Sequence, residues 1–434
     1  MKKILITILT LGQFLMAAQI QYIKANGYEI PVIFESDKRL PLVNMQFIFQ
    51  NAGSINDTKT AGLAKFSARM MGEGTKKLGS TAFAEALEAR AISIHASTGR
   101  ETFVMEVSCL SDEFDEALSH FDALLKDPNF TQNALDKVKT TLLGQLSSKE
   151  NDFDYVAGNE LKAVLFEGTP LANPGSGTKK SVESIQLEDV KSYIKEHLVS
   201  SKLIVVVGGD IDIDIIKQKI QAVISYMPKG KLAPLPHYDV RKTPKEVVLD
   251  KETKQAYLYF GSPYKKSVGD EDAYKARVAT FILGTGGFGS RLMEEVRVKK
   301  GLAYSAYARV SINKSCSYMT GYLQTKLESL DEAKATVEEV IAEFVKNGVT
   351  EAELEQTKKF LLGSEPLRVE TMSQRLSRTF QEYYRGEELG SSSKELEKIK
   401  NLKLDDLNEY IKKHTEILEM SFAIVTKKEE KKKD

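Results

Sequence analysis

The chain repeats itself, and that repeat limits its fold more than any other feature. Leu187-Glu188-Asp189, then Tyr193-Ile194-Lys195-Glu196-His197, returns 217 residues later as Leu404-Asp405-Asp406, then Tyr410-Ile411-Lys412-Lys413-His414. An apolar run follows each copy, at residues 203–207 and 422–425. Upstream, Leu142-Leu143-Gly144 matches Leu361-Leu362-Gly363 at an offset of 219. Three matches in one order at nearly one offset imply two homologous halves. Each is about 200 residues long, too long a period for a solenoid and long enough for a core of its own.

The join falls where proline concentrates. Pro228, Pro234, Pro236 and Pro244 are four of the eleven prolines. Proline lacks an amide donor and favours extended backbone, so 228–244 reads as a stiff linker between halves 19–227 and 245–426. Met1-Lys2-Lys3 and the apolar stretch up to Ala17-Ala18 read as a secretory signal peptide, residues 1–18, which places the chain in the periplasm or outside the cell. That stretch is shorter than the ~20 residues a membrane-spanning helix needs. The charged end, 427–434, reads as a solvated tail. Lys+Arg and Asp+Glu balance at 61 each, so no net field draws nucleic acid or an anionic membrane. Cys109 and Cys316, far apart in the chain, are expected to be buried free thiols.

Within the first half the residue period alternates. Asn26-Gly27 between apolar runs predicts a hairpin, because both residues tolerate positive φ. Residues 43–50 and 102–109 read as strands, and 82–91, 113–125 and 132–149 have helical spacing. The expected fold is α+β: two homologous halves, each an antiparallel-rich sheet with helices on one side, closing as a clamshell.

Residues 62–75 read Gly-Leu-Ala-Lys-Phe-Ser-Ala-Arg-Met-Met-Gly-Glu-Gly-Thr. The segment resembles Gly-Leu-Ala-His-x-x-Glu-His-Met-…-Gly-Thr, the zinc-carrying motif of the pitrilysin/insulinase family of peptidases. By that resemblance Lys65 and Arg69 stand where two histidines hold the metal, and Ala68 stands where a glutamate activates water. The family's third ligand, a glutamate on a later helix, corresponds to Gln145. Lysine is normally protonated and arginine has no acceptor at all. A divalent ion ~4 Å from one fixed cation costs about 8 kcal/mol at an effective dielectric near 20. No metal is therefore expected on this chain. The five histidines, His95, His120, His197, His237 and His414, offer no pair at i, i+4 spacing and read as surface or core-edge residues.

Gly284-Thr285-Gly286-Gly287-Phe288-Gly289 satisfies G-x-G-x-x-G, but helical spacing precedes it. It joins helix to helix, and phosphate binding is not expected. Ser290 is positioned to cap the next helix, Gly301 to end it, and residues 302–312 to form a strand. Taken alone, Arg297 is open to pairing with Glu294, and Tyr304 to lying in a strand core. The block from Gly289 to Ser305 resembles the same family's second signature, Ser-Arg-Leu-…-Arg-x-x-x-Gly-Leu-Ala-Tyr. By that resemblance Arg297 and Tyr304 bind substrate and support a charged transition state across the cleft, acting in trans. Gly284, Gly286, Gly287 and Gly289 would then correspond to a substrate loop, while Tyr307 and Arg309 read as sheet-face residues.

The resemblance runs through Ala52-Gly53-Ser54, Asp127-Pro128, the loop from Gly168-Thr169-Pro170 to Gly177-Thr178, and Val207-Gly208-Gly209-Asp210. It implies the non-catalytic subunit of a secreted bacterial pair. The homologous partner would carry the zinc motif and the zinc, and an unfolded peptide would be the substrate. The alternatives are a stand-alone peptide-binding or structural homodimer on the same scaffold, and a peptidase with a relocated site.

Overall fold

The computed structural model describes residues 18–427. The expected signal peptide lies outside these residues apart from Ala18, and so does the charged tail beyond Lys427.

The duplication is visible in the sheets. The first contains β1 (Gln19–Ala25), β2 (Tyr28–Ser36), β3 (Leu42–Gln50), β4 (Ser93–Thr98), β5 (Thr102–Leu110) and β6 (Leu203–Gly209), in the order β1-β2-β6-β3-β5-β4. The second contains β7 (Glu246–Asp250), β8 (Gln255–Pro263), β9 (Ala303–Ile312), β10 (Ser317–Lys326) and β11 (Ser421–Thr426), in the order β7-β11-β8-β10-β9. Without β1 the two orders superimpose strand for strand. Each sheet has one parallel pair at the equivalent place, β2 with β6 and β7 with β11, and is otherwise antiparallel. The β1–β2 turn is the expected one: Asn26 and Gly27 take φ of 55° and 85°, the twist a two-residue hairpin needs. The Asn26 amide also donates to the Ile224 and Met227 carbonyls at 2.7 and 2.9 Å, tying the hairpin to the end of its own half.

Each half packs its helices on one face of its sheet. Phe47, Phe49, Phe103, Met105 and Phe121 fill the first core, and Leu258, Phe260, Met319, Leu323 and Phe344 the second. The opposite faces are covered by exchange. The helix Phe153–Leu165 belongs by sequence to the first half, yet Leu161 and Leu165 pack with Tyr318 and Ala423 of the second sheet. The helix Met372–Arg385 sits 219 residues later and does the converse, with Leu376 against Ile33, Ile48, Ile204 and Val206. Arg375 anchors it, donating to the buried Glu35 carboxylate through Nε (2.9 Å) and Nη2 (2.5 Å). Such an exchange makes each half's core depend on the other. The proline-rich stretch reinforces it: the Tyr238 N–H donates to the Ser315 carbonyl (2.8 Å), and Val240 is buried. Among the described residues no helix is long and apolar enough to cross a membrane.

Candidate functional site

Two sites need building, one in each half. The first lies on the helix Leu63–Met71. Its entry is held by Asp57, whose buried carboxylate accepts the Gly62 and Ala64 N–H groups, both at 2.9 Å. Burial pushes the Asp57 pKa up to about 7, with those two hydrogen bonds opposing. Phe66 and Met70 point into a cluster with Leu135, Val138, Leu142 and Leu146 of the helix Gln132–Lys149. Ala68 is buried against the sheet core. That leaves Lys65 half-buried and Arg69 exposed, one turn apart on one face. Packing of the two helices brings the Lys149 charge within reach of Lys65, and Gln145 lies exposed one turn before Lys149 on the same helix. The Lys65 ammonium donates to Ser176 Oγ at 2.9 Å. Its pKa is lowered, first by burial and then by the charges of Lys149 and Arg69. Lys149 lies over the Tyr155 ring, 4.3 Å from its centroid.

These side chains do not suit zinc: two cations stand at the histidine positions, an amide replaces the carboxylate, and a third cation stands nearby. Among the described residues no group of three or more His, Cys, Asp or Glu side chains is placed to hold a metal. What the site offers instead is positive charge beside a cavity. Arg69, Phe83, Leu87 and residues 92–96 line a cavity of about 540 Å³. β4 runs along it and is an edge strand, paired only with β5, so one row of its backbone groups has no strand partner.

The second site is made by two irregularities. After Arg291 the helix widens, so that the Lys300 N–H reaches the Glu295 carbonyl five residues back (3.2 Å). Such π-turns recur at functional sites. In β9 the register against β10 then slips: Leu323 opposes Ala306 and Thr325 opposes Ala303, so Tyr304 and Ser305 both face Gln324. This bulge turns Tyr304 outward, leaving it 81% exposed. The Arg297 guanidinium lies 4.2 Å from the Tyr304 ring centroid and 4.6 Å from that of Phe288, which is itself 64% exposed. Arg297 is thus positioned by two exposed rings. Among the described residues it makes no ion pair, with Glu294 or any other acid, and Tyr304 is not in the strand core.

The glycine-rich segment joins helix to helix, as expected, but its glycines do different work. Gly284 is buried beneath β9, where a Cβ would come within 2.2 Å of the Ala308 nitrogen. It is a packing position, not part of an exposed substrate loop. The turn proper runs through Gly286, Gly287 and Gly289, and Phe288 is what it presents. Ser290 is also corrected: its hydroxyl donates back to the Gly287 carbonyl (2.7 Å) and does not cap the following helix. Tyr307 packs against Tyr322, and Arg309 is exposed on the same strand.

The structure therefore joins Lys65 to Arg69, and Arg297 to Tyr304, while Gln145 is exposed on the helix packed beside the first pair. It also adds residues that sequence reasoning missed. Lys149 is one turn beyond Gln145 on the same helix, a spacing that would have revealed it. Phe288, an aromatic among glycines, was a second visible signal. Both cysteines are free and buried, and the Arg100 guanidinium donates to Cys316 Sγ at 2.8 Å.

A family model described as "Insulinase (Peptidase family M16)" matches residues 32–179, and one described as "Peptidase M16 inactive domain" matches residues 184–361. A "Non-peptidase homolog YmxG" from Helicobacter pylori is 44% identical over 434 residues, all of both chains. An "Uncharacterized zinc protease YmxG" from Bacillus subtilis is 27% identical over 334 residues, 76% of this chain and 80% of that one. The crystal structure of a peptidase M16 inactive domain from Pseudomonas fluorescens superimposes with a TM-score of 0.86 at 23% identity, covering 95% of this chain and 99% of that one.

Proposed function

This chain belongs to the insulinase family of peptidases, M16, as a member without the catalytic residues, and from that premise we propose that it is the substrate-binding subunit of a periplasmic zinc metallopeptidase pair. In this reading a homologous partner carries the zinc and the general base, and this chain supplies Arg297 and Tyr304 across the cleft. The observation that carries it is an asymmetry. Among the described residues the first half offers no donor set for a metal, while the second holds a half-buried guanidinium against an exposed phenol, with no acid paired to either.

The chemistry suits that division. Peptide hydrolysis builds negative charge on the carbonyl oxygen, and prepositioned N–H and O–H donors stabilise it most where water is excluded. Arg297 and Tyr304 would bind the scissile carbonyl's oxygen, and Phe288 and Tyr304 would hold the guanidinium in place. The free edge of β4 and the cavity beside it suit an extended chain, which pairs its backbone with an open sheet edge.

The test is co-expression with a homologue that keeps the zinc motif, followed by peptide cleavage assays. A pair that co-purifies and cleaves far faster than the partner alone is the expected result. Cleavage no faster than the partner alone, or a pair indifferent to Arg297→Ala, refutes it. A stable homodimer that never captures the partner would favour the stand-alone binding protein instead.

A further inference from the structure

In the first half, three positively charged side chains are gathered where two packed helices meet. Lys65 and Arg69 share one helix face, and Lys149 ends the helix packed against it. The two charges that act on Lys65 are both positive. Among the described residues none of the three forms an ion pair, although surface ion pairs are common elsewhere on the chain. The Lys65 ammonium is aimed by Ser176, a neutral acceptor that leaves its charge uncompensated. Two acids line the adjoining cavity: Glu73 is paired with Lys137 at 2.8 Å, and Glu88 is exposed to solvent. Like charges in a half-buried place repel, and an entering anion relieves that repulsion. The open edge of β4 lies along the same cavity as Arg69.

We propose that the Lys65–Arg69–Lys149 cluster is a carboxylate-binding subsite, which holds an acidic group of an extended peptide lying along β4. The charge logic of the family's metal site is thereby inverted: positions that would have held a cation now receive an anion. The carboxylate comes from a Glu or Asp side chain or from the peptide's own C-terminus. Gln145, exposed one turn before Lys149 on the same helix, would offer an amide donor to the same group. The inference rests on the peptide-binding reading above and gives it a substrate preference.

The experiment uses the purified chain and short fluorescent peptides with no secondary structure. One carries central Glu residues and its counterpart Gln, and each is made as a free acid and as a C-terminal amide. Fluorescence anisotropy gives Kd. The Glu peptide is expected to bind about tenfold tighter than the Gln peptide at low salt, equal to about 1.4 kcal/mol, with the advantage shrinking as salt rises. An advantage that follows the free C-terminus and not Glu also supports the subsite and identifies the chain end as the group bound. The Arg69→Gln/Lys149→Gln variant, altered only at solvent-accessible positions, should bind the acidic and neutral peptides alike with an unchanged thermal melt. Equal binding of all peptides to the unaltered chain overturns the subsite and leaves the peptide-binding function standing. So does discrimination that survives the double substitution, since the carboxylate would then be held elsewhere. Binding of none of the peptides overturns both.

Discussion

The helix Leu63–Met71 in the first half and the widened helix Glu294–Lys299 in the second each carry a half-buried cationic residue, but they accommodate it in opposite ways. Lys65 is half-buried among like charges, so its ammonium is under electrostatic pressure that lowers its pKa. Arg297 is stacked between Phe288 and Tyr304, whose ring faces are themselves attractive to a cation. One arrangement is unsatisfied until an anion arrives. The other is held in place by its two rings, and in the proposed function its N–H groups would meet an oxygen of the substrate. The same duplicated scaffold therefore places like charges together in one half and a cation between aromatic rings in the other.

The two histidines at repeat-equivalent positions diverge in the same manner. His197 is buried and accepts at Nδ1 from the Lys202 ammonium at 2.8 Å, which requires the neutral ring. Burial first, and then the Lys202 charge, lower its pKa to about 4. His414 lies 2.7 Å from the Glu416 carboxylate and stacks on Tyr264. Burial works to raise the Glu416 pKa, but hydrogen bonds from His414 and the Lys265 N–H outweigh it, and the net shift is downward.

Four measurements test the contrast between the halves. The largest expected effect is on catalysis by the pair: Arg297→Ala should lower kcat by about 10²–10³-fold without loss of partner binding, the scale seen when one oxyanion donor is removed. Partner capture measured alongside turnover checks it, and lost assembly would make Arg297 an interface residue instead. Next, Arg375→Ala should destabilise the whole chain by about 3 kcal/mol, because it leaves Glu35 buried without its cation. Chemical denaturation should remain a single transition. Two separated transitions would show that the helix exchange does not couple the halves.

The third point is pH. Since the His197 pKa is depressed on folding, the unfolded chain takes up a proton that the folded chain refuses between pH 6.5 and about 4. Its contribution to stability is intact above pH 6.5, is lost as pH falls to about 4, and is level below that. Up to about 3 kcal/mol is at stake, and His197→Gln should remove that part of the slope in urea melts. The Glu416 contribution is present above its unfolded value of 4.5 and is lost only as pH falls through its lower folded value, so the two halves should weaken in successive windows. The smallest effect is Asn26→Ala, about 1 kcal/mol in thermal stability, through loss of the turn residue and its two hydrogen bonds to carbonyls at the end of its half. An unchanged melting temperature would mean that Gly27 alone supports the turn.

Much of the fold was legible because it is written in local periods. The hairpin at Asn26-Gly27, the strand alternation of β5 and the helix Gln132–Lys149 each follow from neighbouring residues. The duplication follows from comparing the chain with itself. The replacement of lone-pair donors by Lys65, Ala68, Arg69 and Gln145 was equally legible, because lone pairs are a property of side-chain type. Gly284 and Ser290 were misread because their roles depend on contacts with β9 and on the backbone of the turn, which no local spacing records.

Sequence by itself therefore determined the two-fold repeat, the α+β class and the replacement of electron-pair donors by cations, since each is a matter of residue identity and short-range order. Only the tertiary structure decided that a bulge in β9 turns Tyr304 onto Arg297 and that Lys149 joins Lys65 and Arg69. It alone shows that each half lends a helix to the other's sheet. Those arrangements arise between segments distant in the chain, where packing and register, not local preference, choose which face a side chain shows.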